Sequence, residues 1–419
     1  PGRHGVLATE HLAVHACLTL CGCYRHRGAR GSAPGARKMQ YSAPEMLVSR
    51  GWMVVLLALS GCEEATPEPP DAPAAAVAVV PTPVAAVPTP VEPEPAPVAA
   101  EPAPVPADDE LPPLDAGERA ALLAGPEERI ISHREHFTVS NEYRHDLWFP
   151  YLRGLGGAYI GVASDQNYTL MAVARSEVGY LLDLDRQVVR LHRVYMALIA
   201  ASPQPDQFLA RFDERAEAET RGLIEAGLSD MSPREREAAQ RFVADNRAAL
   251  REYLGTVHAS RRGDQGVTWL SDPELYAYIR RMVAGGRLRP INGNLAGKTA
   301  MATIAASTRE LGLAVKLLYL SNAEEYLFYT PDFVANVRAL PVVADSVVLR
   351  TIHDRFVGWE SPGDGDRRWN YQVHRLEDFQ TRLADRKNSS RTSMLERATA
   401  EGVISRVTKG VSVFKPVSG

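Results

Sequence analysis

The chain has 419 residues, a formal net charge of −4 and four cysteines. That charge gives no electrostatic basis for a nucleic-acid partner, whose phosphates reward a basic surface. The cysteines are Cys17, Cys21, Cys23 and Cys62. With none after Cys62, the rest of the chain has neither a disulfide framework nor a thiolate metal site.

Residues 1–38 are basic, Gly-rich and aperiodic and do not begin with Met. We read them as sequence upstream of a start at Met39 or Met46, so that residues 1–45 stand outside any fold. The spacing of Cys17, Cys21 and Cys23 fits no zinc pattern. From Met46 the pattern changes: Arg50 supplies a basic flank, Trp52 to Leu59 is continuously apolar, and Leu59-Ser60-Gly61-Cys62 closes the run. About eight apolar residues fall short of the ~20 that span a bilayer. They fit a signal-peptide core over residues 46–62.

The ending at Cys62 resembles the lipobox of bacterial lipoproteins. The resemblance implies cleavage before Cys62, diacylation of its thiol, acylation of the new amine, and a membrane partner through that anchor. Each buried methylene of such chains contributes ~0.8 kcal/mol. Glu63 follows where an Asp would mark inner-membrane retention, so the resemblance implies the outer membrane of a bacterial envelope.

Residues 63–113 are dominated by Pro, Ala, Val and Glu and carry no Lys or Arg. Repeats such as Pro81-Thr82-Pro83-Val84 and Pro88-Thr89-Pro90-Val91 favour polyproline II. The segment cannot bury enough apolar surface to offset its ordering entropy. At ~3.1 Å per residue it could extend on the order of 150 Å, and we read it as a tether.

The folded part then runs over 114–419. Leu114 to Leu123 and Asn141 to Leu152 read as helices, the second opened by Ser140 as N-cap. Ala158 to Ala163 is a short apolar strand, broken by the turn residues Ser164-Asp165-Gln166-Asn167. Tyr168 to Arg175 is helix-compatible, and Val178 to Leu182 is a second strand ending on Asp183-Leu184-Asp185. Next, Val188, Leu191, Tyr195, Leu198 and Ile199 share one helical face. Phe208 to Leu228 and Pro233 to Leu254 are charged, Ala-rich helices, and with the helix from Pro273 to Val283 they form a helical insertion over about 204–285.

The α/β pattern resumes with a strand at Arg287–Ile291, a turn at Asn292-Gly293-Asn294, and a helix from Leu295 to Leu311 closed by Gly312. Ala314 to Leu320, Ser346 to Arg350 and Trp369 to His374 read as strands, Asp332 to Leu340 as a helix, and Leu376 to Ala384 as the final helix. Alternating strands and helices predict an α/β fold: a mainly parallel, Rossmann-like sheet with helices on both faces and ligands at the carboxyl ends of the strands. A strand, a polar turn at a helix N-terminus and an acid about twenty residues on give the outline of a nucleoside-binding unit. The glycine fingerprint of that unit is missing.

Tyr159-Ile160-Gly161-Val162, Asp165-Gln166-Asn167, Asp183-Leu184-Asp185, the run Leu318 to Tyr326, and Val348-Leu349-Arg350-Thr351 together resemble a family of uncharacterised bacterial proteins. Many of its members are lipoproteins with a class I, S-adenosylmethionine-dependent methyltransferase-like domain. The resemblance covers roughly Ile130 to Ala384. It implies that Gly161, Ser164, Asp165 and Asn167 receive the methionine end of S-adenosylmethionine and that Asp183 binds both ribose hydroxyls. It further implies that Asn294 lies near adenine and that Asn322 and Tyr326 orient an acceptor. The sequence departs from that pattern where Gly161-Val162-Ala163-Ser164-Asp165 replaces Gly-x-Gly-x-Gly, which bears on how closely a backbone can approach a cofactor.

Other constellations carry less. Gly293-Asn294-Leu295-Ala296-Gly297-Lys298-Thr299 resembles the phosphate-binding P-loop but is one residue short between its glycines. We read it as a turn with a solvated Lys298. His133 and His136 stand at i, i+3 with no further ligand nearby, so no metal is expected. Asp354, Asp364 and Asp366 lie in a Gly-rich loop that could suggest calcium and reads as solvated. Two functions stay open: a methyltransferase, or a non-catalytic binding domain that kept the fold and altered the pocket. S-adenosylmethionine is made in the cytoplasm, which favours the second for an envelope protein.

Overall fold

Along each central strand successive side chains enter two different cores, so these strands read as continuous apolar runs. Tyr159, Leu317, Tyr319 and Leu349 belong to one core; Ala158, Ile160, Leu318, Leu320 and Val348 belong to the other. The computed structural model describes residues 111–128, 130, 136–353, 360–363 and 365–415. Cys62, its signal segment and residues 63–110 of the Pro-rich segment lie outside the described residues; residues 111–113, expected to belong to the tether, join the fold instead, the Pro112 carbonyl accepting from Arg287 Nε at 3.0 Å. Among the described residues no helix is long and apolar enough to cross a membrane.

The strands of the main sheet are β1 (Ala158–Gly161), β2 (Val178–Asp183), β3 (Leu288–Asn292), β4 (Val315–Ser321), β5 (Val347–His353), β6 (Trp369–Arg375), β7 (Ile404–Thr408) and β8 (Val411–Phe414). Their order is β3-β2-β1-β4-β5-β6-β8-β7. The first five are mutually parallel. Ile160 lies opposite Tyr180 on one side and Leu318 on the other. The fold is therefore the expected α/β, mainly parallel, Rossmann-like one. Strand order reverses between β1 and β4, and in such sheets the crevice outside their carboxyl ends is where ligands bind. Pro290 sits in β3, an edge strand, where its missing N–H costs no ladder bond.

One face of the sheet is covered by α2 (Gln166–Ala174), α3 (Arg186–Ala200), α4 (Pro205–Ala210), α5 (Glu217–Gly227), α6 (Pro233–Ala259) and α7 (Pro273–Ala284). The other carries α1 (Ala116–Leu123), α8 (Ala300–Glu310), α9 (Pro331–Arg338) and α10 (Leu376–Ala384). The helices from α4 to α7 belong to the β2-to-β3 crossover and share the core of α2 and α3. The inserted helices are thus a layer of the fold.

Several expectations are corrected. The segment 141–152 is not one helix: only His145–Trp148 (3-10) and Phe149–Leu152 are helical. Its amides have distant partners instead, because the N–H groups of Tyr143 and Arg144 both donate to the Tyr371 hydroxyl, at 3.1 and 2.9 Å. Nor does Ser140 cap a helix; its backbone N–H donates to the Tyr253 hydroxyl. The helix expected from Leu295 begins at Ala300, and the helix expected over 208–228 is broken between Ala210 and Glu217. Strand β6 runs antiparallel to β5. Beyond α10 the chain adds α11 (Arg391–Ala400), opened by a Ser390–Ser393 capping box, and the β7–β8 hairpin.

Candidate functional site

The turn after β1 is closed upon itself. Asn167 donates from Nδ2 to the carbonyls of Val162 (2.9 Å), Ala163 (3.2 Å) and Ser164 (2.6 Å), and its Oδ1 accepts from the Tyr159 hydroxyl at 2.6 Å. Gly161 is required because Asn167 and Tyr159 fill the space of a side chain: a Cβ there would lie 2.0 Å from Asn167 Oδ1 and 2.4 Å from the Tyr159 hydroxyl. Ser164 is buried and turned to Gln166 Oε1 at 3.1 Å. Asp165 enters the helical layer, accepting from the Tyr253 hydroxyl at 2.7 Å and the Trp269 indole at 2.9 Å. Burial pushes its carboxyl up, against the pull of those two bonds.

Asp183, at the carboxyl end of β2, is engaged by the same turn. Its Oδ2 accepts from the Ala163 N–H at 2.9 Å and its Oδ1 from the Asp185 N–H at 2.7 Å. Burial pushes its carboxyl up to about 6, although both backbone donors pull it down. The Ala163 carbonyl meets His192 Nε2 at 2.8 Å, and His192 Nδ1 lies 2.9 Å from the Tyr168 hydroxyl. Burial holds that imidazole down to about 4. It is therefore neutral at pH 7, with Nε2–H donating to the carbonyl and Nδ1 accepting from the phenol.

Beside β4 and β5 the crevice is filled by Glu142, which is 3% exposed. Its carboxylate accepts from the hydroxyls of Tyr319 (2.7 Å), Ser321 (2.6 Å) and Thr351 (2.6 Å), and His145 Nε2 lies at 3.1 Å. Burial pushes this carboxyl up, yet the bonds from His145, Ser321 and Thr351 together hold it below the usual carboxylate range. The side chain of Asn322, next to Ser321, has long contacts, to Glu325 at 3.5 Å and to Ser321 Oγ at 3.4 Å, while its carbonyl accepts from the Glu325 N–H at 2.9 Å. Tyr326 is 78% exposed.

The loop after β3 is occupied from a third direction. Glu128 accepts from the N–H groups of Asn294 at 2.5 Å and Thr299 at 3.0 Å, so the P-loop-like turn binds a carboxylate of its own chain. These bonds delay α8 to Ala300. The Asn294 side chain accepts from the Ala296 N–H. His136 meets Asp185 at 2.6 Å, while His133 lies outside the described residues. Asp366 accepts from the Tyr371 hydroxyl and the Tyr143 N–H; Asp354 and Asp364 also lie outside the described residues. Among the described residues no group of His, Cys, Asp and Glu could hold a metal ion.

A cleft of about 1040 Å³ opens beside the ends of β2 and β3, lined by Glu127, His136, Arg186, Arg190, Met231 and Asn292 among others. None of Gly161, Ser164, Asp165, Asn167, Asp183, Asn294, Asn322 and Tyr326 lines it. The residues that matter most here, Glu142, Glu128 and the α3 arginines, carried no sequence motif. Glu142 finds Tyr319, Ser321 and Thr351 more than 170 positions away, and no local pattern encodes that.

The family described as Domain of unknown function (DUF7790) matches residues 137–415. No curated protein matches the chain.

Removing the Glu142 carboxylate strands three hydroxyls and a histidine in the interior. Glu142→Ala is expected to lower the unfolding free energy by ~3 kcal/mol or more, read from urea denaturation; a loss under about 1 kcal/mol would mean water replaces it. For Asp183 the folded carboxyl is the weaker acid, so its contribution to stability is complete below about pH 4 and lost as pH rises through 6. Relative to Asp183→Asn, the wild-type protein should lose on the order of 2–3 kcal/mol between pH 4 and 7, in parallel urea titrations. An unchanged difference between the two proteins would contradict the burial argument.

Proposed function

Because this chain belongs to that family of unknown function, which lends it no activity, we propose that it is a non-catalytic binding domain with a methyltransferase-like fold, held at the bacterial outer membrane by lipid on Cys62. One observation carries the reading. The Ala163 N–H, which a cofactor-binding turn would offer to a ligand, donates to Asp183, the acid expected to take ribose. The space over Gly161 is filled by Asn167 and Tyr159. An engaged amide and a filled space speak against S-adenosylmethionine at this turn.

The lipid anchor rests on the sequence at Leu59-Ser60-Gly61-Cys62. The Pro-rich segment over residues 63–110 would let the folded part range far from such an anchor.

A second reading, S-adenosylmethionine-dependent methyl transfer to a small-molecule or envelope acceptor, is favoured by one feature: an acid, Asp183, ends β2 in a sheet ordered β3-β2-β1-β4-β5. In that reading Asp183 holds ribose, and Asn322 and Tyr326 orient the acceptor. The two readings separate in a thermal-shift experiment on the full-length protein with S-adenosylhomocysteine. The binding-domain reading expects no change at millimolar ligand. Stabilisation of ~2.7 kcal/mol, the value for ligand at a hundredfold its Kd, that disappears in Asp183→Ala would establish the cofactor site instead. For the anchor, mass spectrometry of the mature amino terminus is expected to find acylated Cys62; an unmodified terminus would remove the membrane partner.

A further inference from the structure

Two cavities meet along α3. The larger one, about 1040 Å³, and a second of about 590 Å³ share Arg186, Arg190 and Glu235. Arg186 and Arg190 are one helical turn apart and so lie on the same face. Like charges so placed would repel, but Glu235 from α6 bridges them. Its Oε1 accepts from Arg186 at 2.7 Å and its Oε2 from Arg190 at 2.9 Å. Arg190 is fixed further by Gln187 Oε1 at 2.8 Å.

The two cavities together are lined by five arginines and four glutamates, a net charge of +1. One carboxylate serves two guanidinium groups. Of the other acids that line the larger cavity, Glu128 is engaged by backbone amides and Glu127 faces Arg193 at 3.3 Å. In the smaller cavity Glu237 pairs with Arg241, and Arg234 adds a further cation. Arg186 is half-exposed, and among the described residues only Glu235 bonds its side chain. Arginine presents several donors in a planar fork suited to oxyanions. Beside the arginines the larger cavity also has apolar lining from Pro126, Ile130, Val189 and Met231.

We infer that Arg186 and Arg190, aligned by Glu235, form an oxyanion site that takes the phosphate of a ligand whose apolar or planar body lies against Val189 and Met231. The inference rests on the binding-domain reading and gives its ligand class. It departs from the cofactor pattern, because S-adenosylmethionine carries a sulfonium cation and no phosphate. The same chemistry is offered by a soluble nucleotide and by a phospholipid headgroup.

Calorimetric titration of the full-length protein at low salt tests it with three probes: inorganic pyrophosphate, adenosine 5′-diphosphate and a short-chain phosphatidate. Saturable binding is expected, about tenfold weaker in Arg186→Glu and weaker again as salt screens the half-exposed site. Arg234→Glu, a change at an exposed position, should weaken it about threefold and guards against misfolding of the first variant. Tighter binding of the diphosphate nucleotide supports the proposal with a soluble ligand, and tighter binding of phosphatidate supports it with a lipid headgroup. No saturable binding of any probe overturns it, as does binding undiminished in both variants. S-adenosylhomocysteine stabilisation would instead overturn the binding-domain reading, so the two failures are distinguishable.

Discussion

The burial of Glu142 between the ends of β4 and β5 is the constraint on which the upper edge of the sheet depends. A carboxylate moved from water into a protein interior costs several kcal/mol unless strong partners replace the water. Here the partners are three hydroxyls and an imidazole, drawn from β4, β5 and the residues just after Glu142. Each of those elements supplies part of what the acid needs, so Glu142 ties the segment leading to Trp148 to both strands at once. Trp148 then packs edge-on to Tyr319 and Tyr371, at 5.9 and 4.9 Å between ring centres. The Tyr371 hydroxyl in turn accepts the amides of Tyr143 and Arg144. The polar and aromatic contacts are one cooperative unit.

The same device recurs along the carboxyl edge. Asp183 takes the amide of the β1 turn, and Glu128 takes two amides of the β3 loop. In a Rossmann-like sheet these amides are the usual means of holding a ligand. Donors satisfied by the chain's own carboxylates stabilise the fold and are lost to binding. The volume that remains lies to one side, over α3, and its chemistry is that of arginine. A shared fold therefore says little about the ligand, which follows from the side chains at the open cleft.

The parallel core was legible in the sequence because its signal is local. Ala158–Ala163, Val178–Leu182 and Ala314–Leu320 are apolar runs bounded by turn residues, and each is a central strand. Helical periodicity likewise marked α3, and the structure adds an N-cap at Asp185, which accepts from the Gln187 N–H. What failed locally was decided far away. Residues 141–144 have helix-compatible composition, but the amides of Tyr143 and Arg144 are claimed by β6 and the Glu142 side chain by β4 and β5. Residues 295–299 have the same fate through Glu128. The terminal hairpin was missed although Lys409-Gly410 is an ordinary turn signal, since β7 is exposed over much of its length and lacks the apolar run of a buried strand. Of the site residues, Asp183 stands at the end of its strand as expected, but its partner is the chain itself.

Two non-glycine residues of the central strands' ends have left-handed backbones: Ala163 at φ 66° and Ser321 at φ 51°. Each such residue costs on the order of 1–2 kcal/mol, and nothing in an alanine side chain reduces that cost. The compensation is external. Ala163 is gripped on both sides, its N–H by Asp183 and its carbonyl by His192, while the Ser321 hydroxyl is gripped by Glu142. The half-buried Asp183 and the buried Glu142 therefore hold the two strained residues, one just past β1 and one at the end of β4, the strands that flank the reversal in sheet order. Relaxing either turn would break a bond to one of these acids and leave it short of a partner, a loss comparable to the strain relieved. The crevice that this topology would ordinarily leave open is kept shut by that balance.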